Sequence, residues 1–166
     1  AGTGVGKSLF MCHVASSVLL QGRNVLYITA EMAEEKIAER IDANLLNVNV
    51  QELVDLPKVM FENKVNNLAK KTQGQLIIKE YPTATAHVGH FRALLNELAL
   101  KKSFKPDIIF VDYLNICASS RYKGSSNINS YTIVKSIAEE LRGLAVEAKV
   151  PIVSATQTTR SGYGSS

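Results

Sequence analysis

The first eight residues of the chain could bind the phosphates of a nucleotide. They read AGTGVGKS and match the pattern G-x-x-x-x-G-K-[ST], except that Ala1 stands at the first position. Glycines in this pattern let backbone N–H groups point at phosphate oxygens without a side-chain clash. The pattern predicts ATP binding by Gly2, Thr3, Gly4, Val5, Gly6, Lys7 and Ser8.

The last two residues of this pattern have separate predicted roles. Lys7 would bridge the β- and γ-phosphates, which also makes it a candidate catalytic residue, and the Ser8 hydroxyl would ligate Mg²⁺. A helix that begins near Lys7 adds its positive N-terminal dipole to the same place. The alternative is an ordinary glycine-rich turn before a helix, and a second motif argues against it.

That second motif is an apolar strand that ends in a carboxylate. Residues Asp107 to Asp112 read DIIFVD, and a strand of this kind is typical of the centre of a parallel sheet. An acidic residue at the end of such a strand holds Mg²⁺ through its water shell in P-loop enzymes. We therefore predict that Asp112 and Ser8 bind the metal. Without the first motif, Asp112 could equally be a turn residue.

Hydrolysis of ATP also requires a group that orients and deprotonates water. Glu31 follows a predicted strand, so it would lie at the carboxyl edge of the sheet, where α/β folds bind ligands. Its alternative role is to stabilise the dipole of the next helix, together with Glu34 and Glu35. Gln157 follows the last predicted strand and could contact the γ-phosphate, or it is simply a polar residue leaving a strand.

Apolar periodicity predicts the elements that position these residues. Strands are predicted at 24–30, 75–79, 107–112 and 152–156, and helices at 7–20, 33–46, 58–71, 88–101 and 131–149. This alternation predicts an α/β fold with a mostly parallel central sheet flanked by helices. Residues 1–166 would form one partial domain, because no strand precedes the phosphate loop and the tail stops after a buried strand. The first core strand and a C-terminal part are therefore expected to be missing.

Composition excludes several classes of protein. Hydrophobic residues make up 46% and charged residues 20%, which predicts a packed core rather than disorder. No apolar run approaches the ~18 residues of a membrane span. Cys12 and Cys117 lack the spacing of metal sites or disulfides, so reduced thiols in the cytoplasm are expected. The net charge of +4 tolerates a polyanionic partner without requiring one.

Four segments in this order resemble the RecA-like ATPase domain of DnaB-type replicative helicases. They are AGTGVGKS, the strand that ends in TAEM, IIFVDYL and SATQ. The phrases NVLYITAEMAEE and SIAEELRGLAVE are most similar to the replicative helicases of T-even-type phages. The resemblance covers essentially the whole chain, and alanine at the first loop position is familiar in that family. It implies a RecA-like P-loop NTPase fold and an ATP-dependent DNA helicase.

The resemblance also implies roles for individual residues. Lys7 and Ser8 would be the P-loop pair, Asp112 the acid of the second nucleotide motif, and Glu31 the residue that activates water. Gln157 would couple the γ-phosphate to DNA. The loop after the second motif would bind single-stranded DNA, with a second loop beginning near the tail; the residues concerned are Arg121, Tyr122, Lys123, Ser125, Asn127 and Arg160.

In that family the domains form a homo-hexamer that hydrolyses ATP between subunits, with an arginine supplied by the neighbour. A primase and a helicase loader are implied as partners, with no membrane involved. The implied location is the cytoplasm, that of the host cell if the chain is of phage origin.

Other functions of the same motifs stay open at this point. They are a RecA-like recombinase or regulatory ATPase, a P-loop phosphotransferase acting on a small molecule, and a fragment that only binds nucleotide. A carboxylate at Glu31 argues against the phosphotransferase, which needs no hydrolytic base there. Stimulation of the ATPase by single-stranded DNA separates the motor and the recombinase from the phosphotransferase. Unwinding of a forked duplex then separates the motor from the recombinase.

We predict that replacing Arg121 and Lys123 by alanine in the complete protein weakens binding of single-stranded DNA. The salt dependence of binding should become flatter by about one unit of slope for each phosphate contact that is removed, because fewer counterions are released. Titrations of a labelled oligonucleotide at several salt concentrations measure this slope, and nucleotide affinity serves as the control. An unchanged slope would indicate that this segment is a surface loop without a role in DNA binding.

Overall fold

The computed structural model of the chain describes residues 5–30, 32–46, 60, 74–82, 86–112 and 130–155. Its elements, in chain order, are α1 (Val5–Leu20), β1 (Val25–Thr29), α2 (Glu34–Leu46), β2 (Leu76–Glu80), α3 (Val88–Lys102), β3 (Ile108–Asp112), α4 (Ser130–Ala148) and β4 (Ile152–Ala155). Each begins and ends within two residues of the predicted element. The predicted helix 58–71 lies, apart from Met60, outside the described residues. No helix in the described ranges is long and apolar enough to cross a bilayer.

The strands form a parallel sheet in the order β2-β1-β3-β4. β1 and β3 therefore lie in its interior, where every residue of β1 and all but the first residue of β3 are buried. Their almost wholly apolar sequences suit this position, because helices cover both faces of a parallel sheet. The predicted α/β fold with a parallel sheet, and the central position of the strand that ends in Asp112, are confirmed.

Helices cover both faces of the sheet, and a separate hydrophobic core lies on each face. Alternate residues of the inner strands point to opposite faces, which is the ordinary geometry of a strand. One core contains residues from α1, α2 and the sheet: Met11, Cys12, Ala15, Leu19, Val25, Tyr27, Ile37, Ile41 and Phe110. The other contains residues from α3, α4 and the sheet, among them Leu26, Ile28, Phe91, Leu94, Leu98, Ile109, Val111, Ile137, Leu141 and Leu144. The described elements thus form a three-layer sandwich of helices, sheet and helices.

Asn24 connects the amino ends of three strands. Its backbone N–H donates a hydrogen bond of 2.7 Å to Oδ2 of Asp107, just before β3. Its side-chain Oδ1 accepts a bond of 3.0 Å from the N–H of Gln75, just before β2. Because all three strands run in the same direction, this junction also aligns their carboxyl ends. Thr29 at the end of β1 consequently pairs with Asp112 at the end of β3.

Gly22 turns the chain from α1 into β1. It has a φ of 81°, a left-handed conformation that glycine adopts without strain. Its N–H donates to the carbonyl of Leu19 at 3.0 Å, and the N–H of Arg23 donates to that of Val18 at 3.3 Å. This pair of bonds is a Schellman motif, which ends a helix and satisfies its last carbonyls. The sharp end brings β1 back along α1, so both elements reach the same edge of the sheet.

We predict opposite effects of alanine at two glycines. A Cβ at Gly74 would overlap the carbonyl oxygen of Arg23, so the backbone would have to move. Gly143 is exposed in α4, and a Cβ added there would meet nothing within 4 Å. Gly74→Ala should lower the free energy of unfolding by about 1–3 kcal/mol, as overpacking does. Gly143→Ala should raise it by about 0.5–1 kcal/mol, because alanine favours helix. Urea denaturation measures both changes in the free energy of unfolding. If Gly74→Ala were as stable as the wild type, the close approach of Gly74 to the backbone of Arg23 would be contradicted.

Candidate nucleotide and metal site

Ser8 and Asp112 are 104 residues apart in the sequence and adjacent in space. Ser8 lies in the first turn of α1, and Asp112 is the last residue of β3. The Oγ of Ser8 donates a hydrogen bond of 2.9 Å to Oδ2 of Asp112. Both side chains are buried, with exposed fractions of 0% and 3%. The structure thus brings together the two residues that the sequence predicts as metal-binding.

The two carboxylate oxygens of Asp112 have different surroundings. Oδ2 accepts a second hydrogen bond, of 2.8 Å, from the hydroxyl of Tyr27, which in turn accepts one from the thiol of Cys12 at 3.8 Å. Oδ1 is buried as well, but no donor among the described residues contacts it. Buried carboxylate oxygens are ordinarily hydrogen-bonded. Among the described residues, Oδ1 is therefore the acceptor that is left open for a ligand.

Burial dominates the electrostatics of this cluster. It raises the pKa of Asp112 above the ordinary aspartate value, and the hydrogen bonds from Tyr27 and Ser8 and the charge of Arg40 offset only part of that rise. Burial and the neighbouring Asp112 also raise the pKa of the Tyr27 hydroxyl, so it remains a donor to the carboxylate. Burial raises the pKa of the Cys12 thiol to about 11. A carboxylate in these surroundings is stabilised by a cation placed next to it.

Magnesium fits the ligands that this cluster offers. Mg²⁺ prefers oxygen ligands and takes only one or two of them from protein, the rest being water and phosphate. The open Oδ1 of Asp112 and the hydroxyl oxygen of Ser8 are two such ligands. The described residues contain no group of three or more histidine, cysteine or acidic side chains that could hold a metal ion. The cluster therefore suits a metal that arrives with a nucleotide rather than a closed protein cage.

The first turn of α1 supplies the environment for phosphate. A helix N-terminus provides backbone N–H groups and a positive dipole for an anion, and α1 begins at Val5, beside the carboxylate. Lys7 is half-buried in this turn, and an added methyl group at Gly6 would meet nothing within 4 Å. The remaining predicted phosphate-binding residues, Gly2, Thr3 and Gly4, lie outside the described residues.

Thr29 holds the backbone of Met32 through two hydrogen bonds. Its Oγ1 donates to the carbonyl of Met32 at 2.9 Å and accepts a bond of 3.3 Å from the N–H of Met32. Because Thr29 pairs with Asp112, this turn is at the carboxyl edge of the sheet. Glu31 itself lies outside the described residues, as do Gln157 and the predicted DNA-binding residues Arg121, Tyr122, Lys123, Ser125, Asn127 and Arg160. Their roles stay predictions.

Tyr27 is a member of the cluster to which the sequence pattern assigns no role. In the sequence it stands within an apolar strand, where a tyrosine is an ordinary core residue. A signal was present in the alternation of the strand, which places Tyr27 on the same face as Thr29. Only the folded sheet shows that Thr29 pairs with Asp112. Without that pairing, the sequence does not indicate which residue the Tyr27 hydroxyl contacts.

The whole chain resembles known proteins. Residues 1–164 match the family model of the DnaB-like helicase C terminal domain. The DnaB-like replicative helicase of Enterobacteria phage T4 is 50% identical over 169 residues, which cover 100% of this chain and 35% of the phage protein. A replicative DNA helicase DnaB of Helicobacter pylori (strain ATCC 700392 / 26695) is 27% identical over 160 residues, which cover 95% of this chain and 31% of that protein. The chain therefore spans about a third of the length of these relatives.

Two solved structures share the fold. One, described as the ATPase domain of a larger protein, superposes with a TM-score of 0.70 at 16% identity, covering 94% of this chain and 54% of that one. A DnaB-like replicative helicase, described with its interactions with primase, superposes with a TM-score of 0.67 at 17% identity, covering 93% of this chain and 36% of that one. These similarities confirm the predicted RecA-like fold with its parallel central sheet and flanking helices.

We predict that Asp112→Asn stabilises the protein in the absence of metal and nucleotide. Burial raises the pKa of Asp112 above the unfolded value of 3.8, so the folded state binds this proton more tightly than the unfolded state. The resulting stability is present below the unfolded pKa and is lost as pH rises through the folded pKa. Asparagine carries no charge at any pH, so the gain should be present at about pH 7 and shrink toward about pH 4.

Urea denaturation in EDTA at both pH values measures this gain. Asp107→Asn is the matched control, because Asp107 is exposed and its carboxylate accepts a hydrogen bond from Asn24. That control should not raise the free energy of unfolding near neutral pH, because it removes no buried charge. A lower stability of Asp112→Asn than of the wild type near neutral pH would show that the buried charge does not destabilise the folded protein.

Proposed function

Because the chain belongs to the family of the DnaB-like helicase C terminal domain, we propose that it is the ATP-binding motor domain of a replicative DNA helicase. In the complete protein, ATP hydrolysis would drive translocation on single-stranded DNA and unwinding of the duplex. The observation that carries this proposal is the 2.9 Å hydrogen bond between Ser8 and Asp112. It joins the end of the phosphate loop to the acidic end of a central strand, as a P-loop ATPase requires.

Nucleotide binding is proposed for the turn that begins α1. Lys7 would contact the β- and γ-phosphates, and the helix N-terminus would add its dipole. Ser8 and Asp112 would hold Mg²⁺ through the hydroxyl oxygen and through Oδ1. When bound, Mg²⁺ would neutralise negative charge on the transferred phosphoryl group. Both ligands are buried, and charges interact more strongly in such surroundings than in bulk water.

Water activation is proposed for Glu31 and coupling to DNA for Gln157. The position of Glu31 is supported by its neighbours, because the bonds between Thr29 and Met32 fix the chain at the edge of the sheet where Asp112 lies. A carboxylate at this edge can accept a proton from a water molecule that attacks the γ-phosphate. Gln157 follows β4, which pairs in parallel with β3, and this supports a place for it on the same edge.

We propose that the complete protein binds single-stranded DNA and partner proteins. Arginine and lysine at 121 and 123 suit phosphate contacts, and the tyrosine at 122 suits stacking on a base. We further propose a homo-hexamer in the cytoplasm, that of the host cell if the chain is of phage origin, with primase and a helicase loader as partners. The phage relative, a DnaB-like replicative helicase, supports the replicative role, and the solved helicase described with its interactions with primase supports primase as a partner. Family membership favours the motor over a phosphotransferase acting on a small molecule.

We predict that Glu31→Gln in the complete protein retains affinity for ATP and loses turnover by ~10²-fold or more, because a general base has been removed. Phosphate release with and without single-stranded DNA measures turnover, and calorimetry with a non-hydrolysable analogue measures affinity. Lys7→Ala should abolish binding itself, so the two variants separate binding from chemistry.

Glu35→Gln is the matched control, since it makes the same change at an exposed acidic residue in the first turn of α2. It should hydrolyse ATP at the wild-type rate. Equal effects of the two glutamine variants would show that these acids stabilise the helix dipole instead. Unwinding of a forked duplex by the wild type then distinguishes a helicase from a recombinase, and failure to unwind would overturn the proposed function.

A further inference from the structure

Tyr27 carries a buried hydroxyl that the packing of its ring does not require. The side chain is completely buried, and its ring stacks on Phe110 with the ring centroids 5.7 Å apart and an angle of 18° between their planes. A phenylalanine would keep this packing without the desolvation of a hydroxyl group, which is unfavourable unless the group is hydrogen-bonded. The hydroxyl is bonded on both sides, to Cys12 and to Asp112. The hydroxyl therefore contributes hydrogen bonds to the structure rather than packing.

The bond from Tyr27 differs from the bond that Ser8 makes to the same oxygen. Both residues donate to Oδ2 of Asp112, at 2.8 Å and 2.9 Å. The oxygen of Ser8 is itself a proposed metal ligand, so Ser8 would contact the cation directly as well as Asp112. Tyr27 is held in the core by its ring, independently of any ligand. It is thus a donor that can fix the rotation of the carboxylate before nucleotide and metal bind.

We propose that Tyr27 is a positioning residue for the metal site, which holds Oδ2 of Asp112 so that Oδ1 faces the cation. This inference rests on the proposed function, because it assumes that Asp112 binds the Mg²⁺ of a nucleotide. Partners that orient a metal ligand in this way change metal affinity by about 10–100-fold when they are removed. Tyr27 would accordingly set how much Mg²⁺ the site requires, without contacting nucleotide or metal itself.

The test is the Mg²⁺ dependence of nucleotide binding by Tyr27→Phe in the complete protein. The affinity for a fluorescent, non-hydrolysable ATP analogue is measured in EDTA and over a series of Mg²⁺ concentrations. Mg²⁺ is expected to increase the nucleotide affinity, and we expect the Mg²⁺ concentration that gives half of this increase to rise by about tenfold or more in the variant. The affinity of the variant in EDTA should stay at the wild-type value. Electron paramagnetic resonance of Mn²⁺ bound with the same analogue should show an equal loss of metal affinity.

Tyr81→Phe is the matched control. Tyr81 is half-buried, contacts Phe91 edge-on at 5.6 Å, and packs against the core under α3 and α4, on the face of the sheet opposite Tyr27. The control removes the same hydroxyl group, and its Mg²⁺ requirement should equal that of the wild type. Should Tyr27→Phe melt below the assay temperature, all variants are compared in a Gly143→Ala background, which is expected to be more stable.

The outcomes separate this inference from the proposed function. A wild-type protein whose nucleotide affinity does not respond to Mg²⁺ would overturn the proposed metal site itself. A wild type that responds, with an unchanged Mg²⁺ requirement in Tyr27→Phe, would overturn only the role of Tyr27. An equal loss of affinity with and without Mg²⁺ would also overturn it, because the hydroxyl would then support the general structure of the pocket.

Discussion

The buried carboxylate of Asp112 is the group on which the arrangement of the site depends. An ionised group in a dry interior is unfavourable unless other charges or hydrogen bonds stabilise it. Here one oxygen receives bonds from Ser8 and Tyr27, and the other receives none from the described residues. Oδ1 is thus left without a partner in the part of the chain that the structure describes, and a cation that arrives with a nucleotide would supply one. If the Asp112→Asn variant is more stable than the wild type, as we expect, the site trades stability for binding, as functional sites commonly do.

The rest of the structure keeps this carboxylate in place from two directions. At the amino end of the sheet, Asn24 aligns the starts of three parallel strands, which fixes the register that pairs Thr29 with Asp112. On the face of the sheet, α1 packs over β1 and β3 and ends sharply at Gly22. The first turn of α1 and the ends of the inner strands therefore meet at one edge. The fold, rather than closeness in sequence, brings the proposed phosphate and metal ligands together there.

Sequence alone predicted the elements that the structure describes and the metal-binding roles of Ser8 and Asp112, because each of these rests on a local pattern. DIIFVD is apolar enough to be a central strand, and the glycine-rich loop before Lys7 belongs to a motif whose acidic partner ends such a strand. The role of Tyr27 could not be predicted in this way. Its hydroxyl contacts Asp112 because β3, which ends in that residue, lies next to β1 in the sheet. The periodicity of apolar residues does not predict the order of the strands. The open Oδ1 likewise becomes visible only in three dimensions.

A crystal structure of the complete protein with Mg²⁺ and a non-hydrolysable ATP analogue tests the central claim most directly. We expect Mg²⁺ at about 2.0–2.1 Å from Oγ of Ser8. Oδ1 of Asp112 should contact either the metal or one of its water ligands, while Oδ2 keeps its bond to Tyr27. A metal ion bound elsewhere, or an Oδ1 that still lacks any partner in the nucleotide complex, would contradict the proposed metal site.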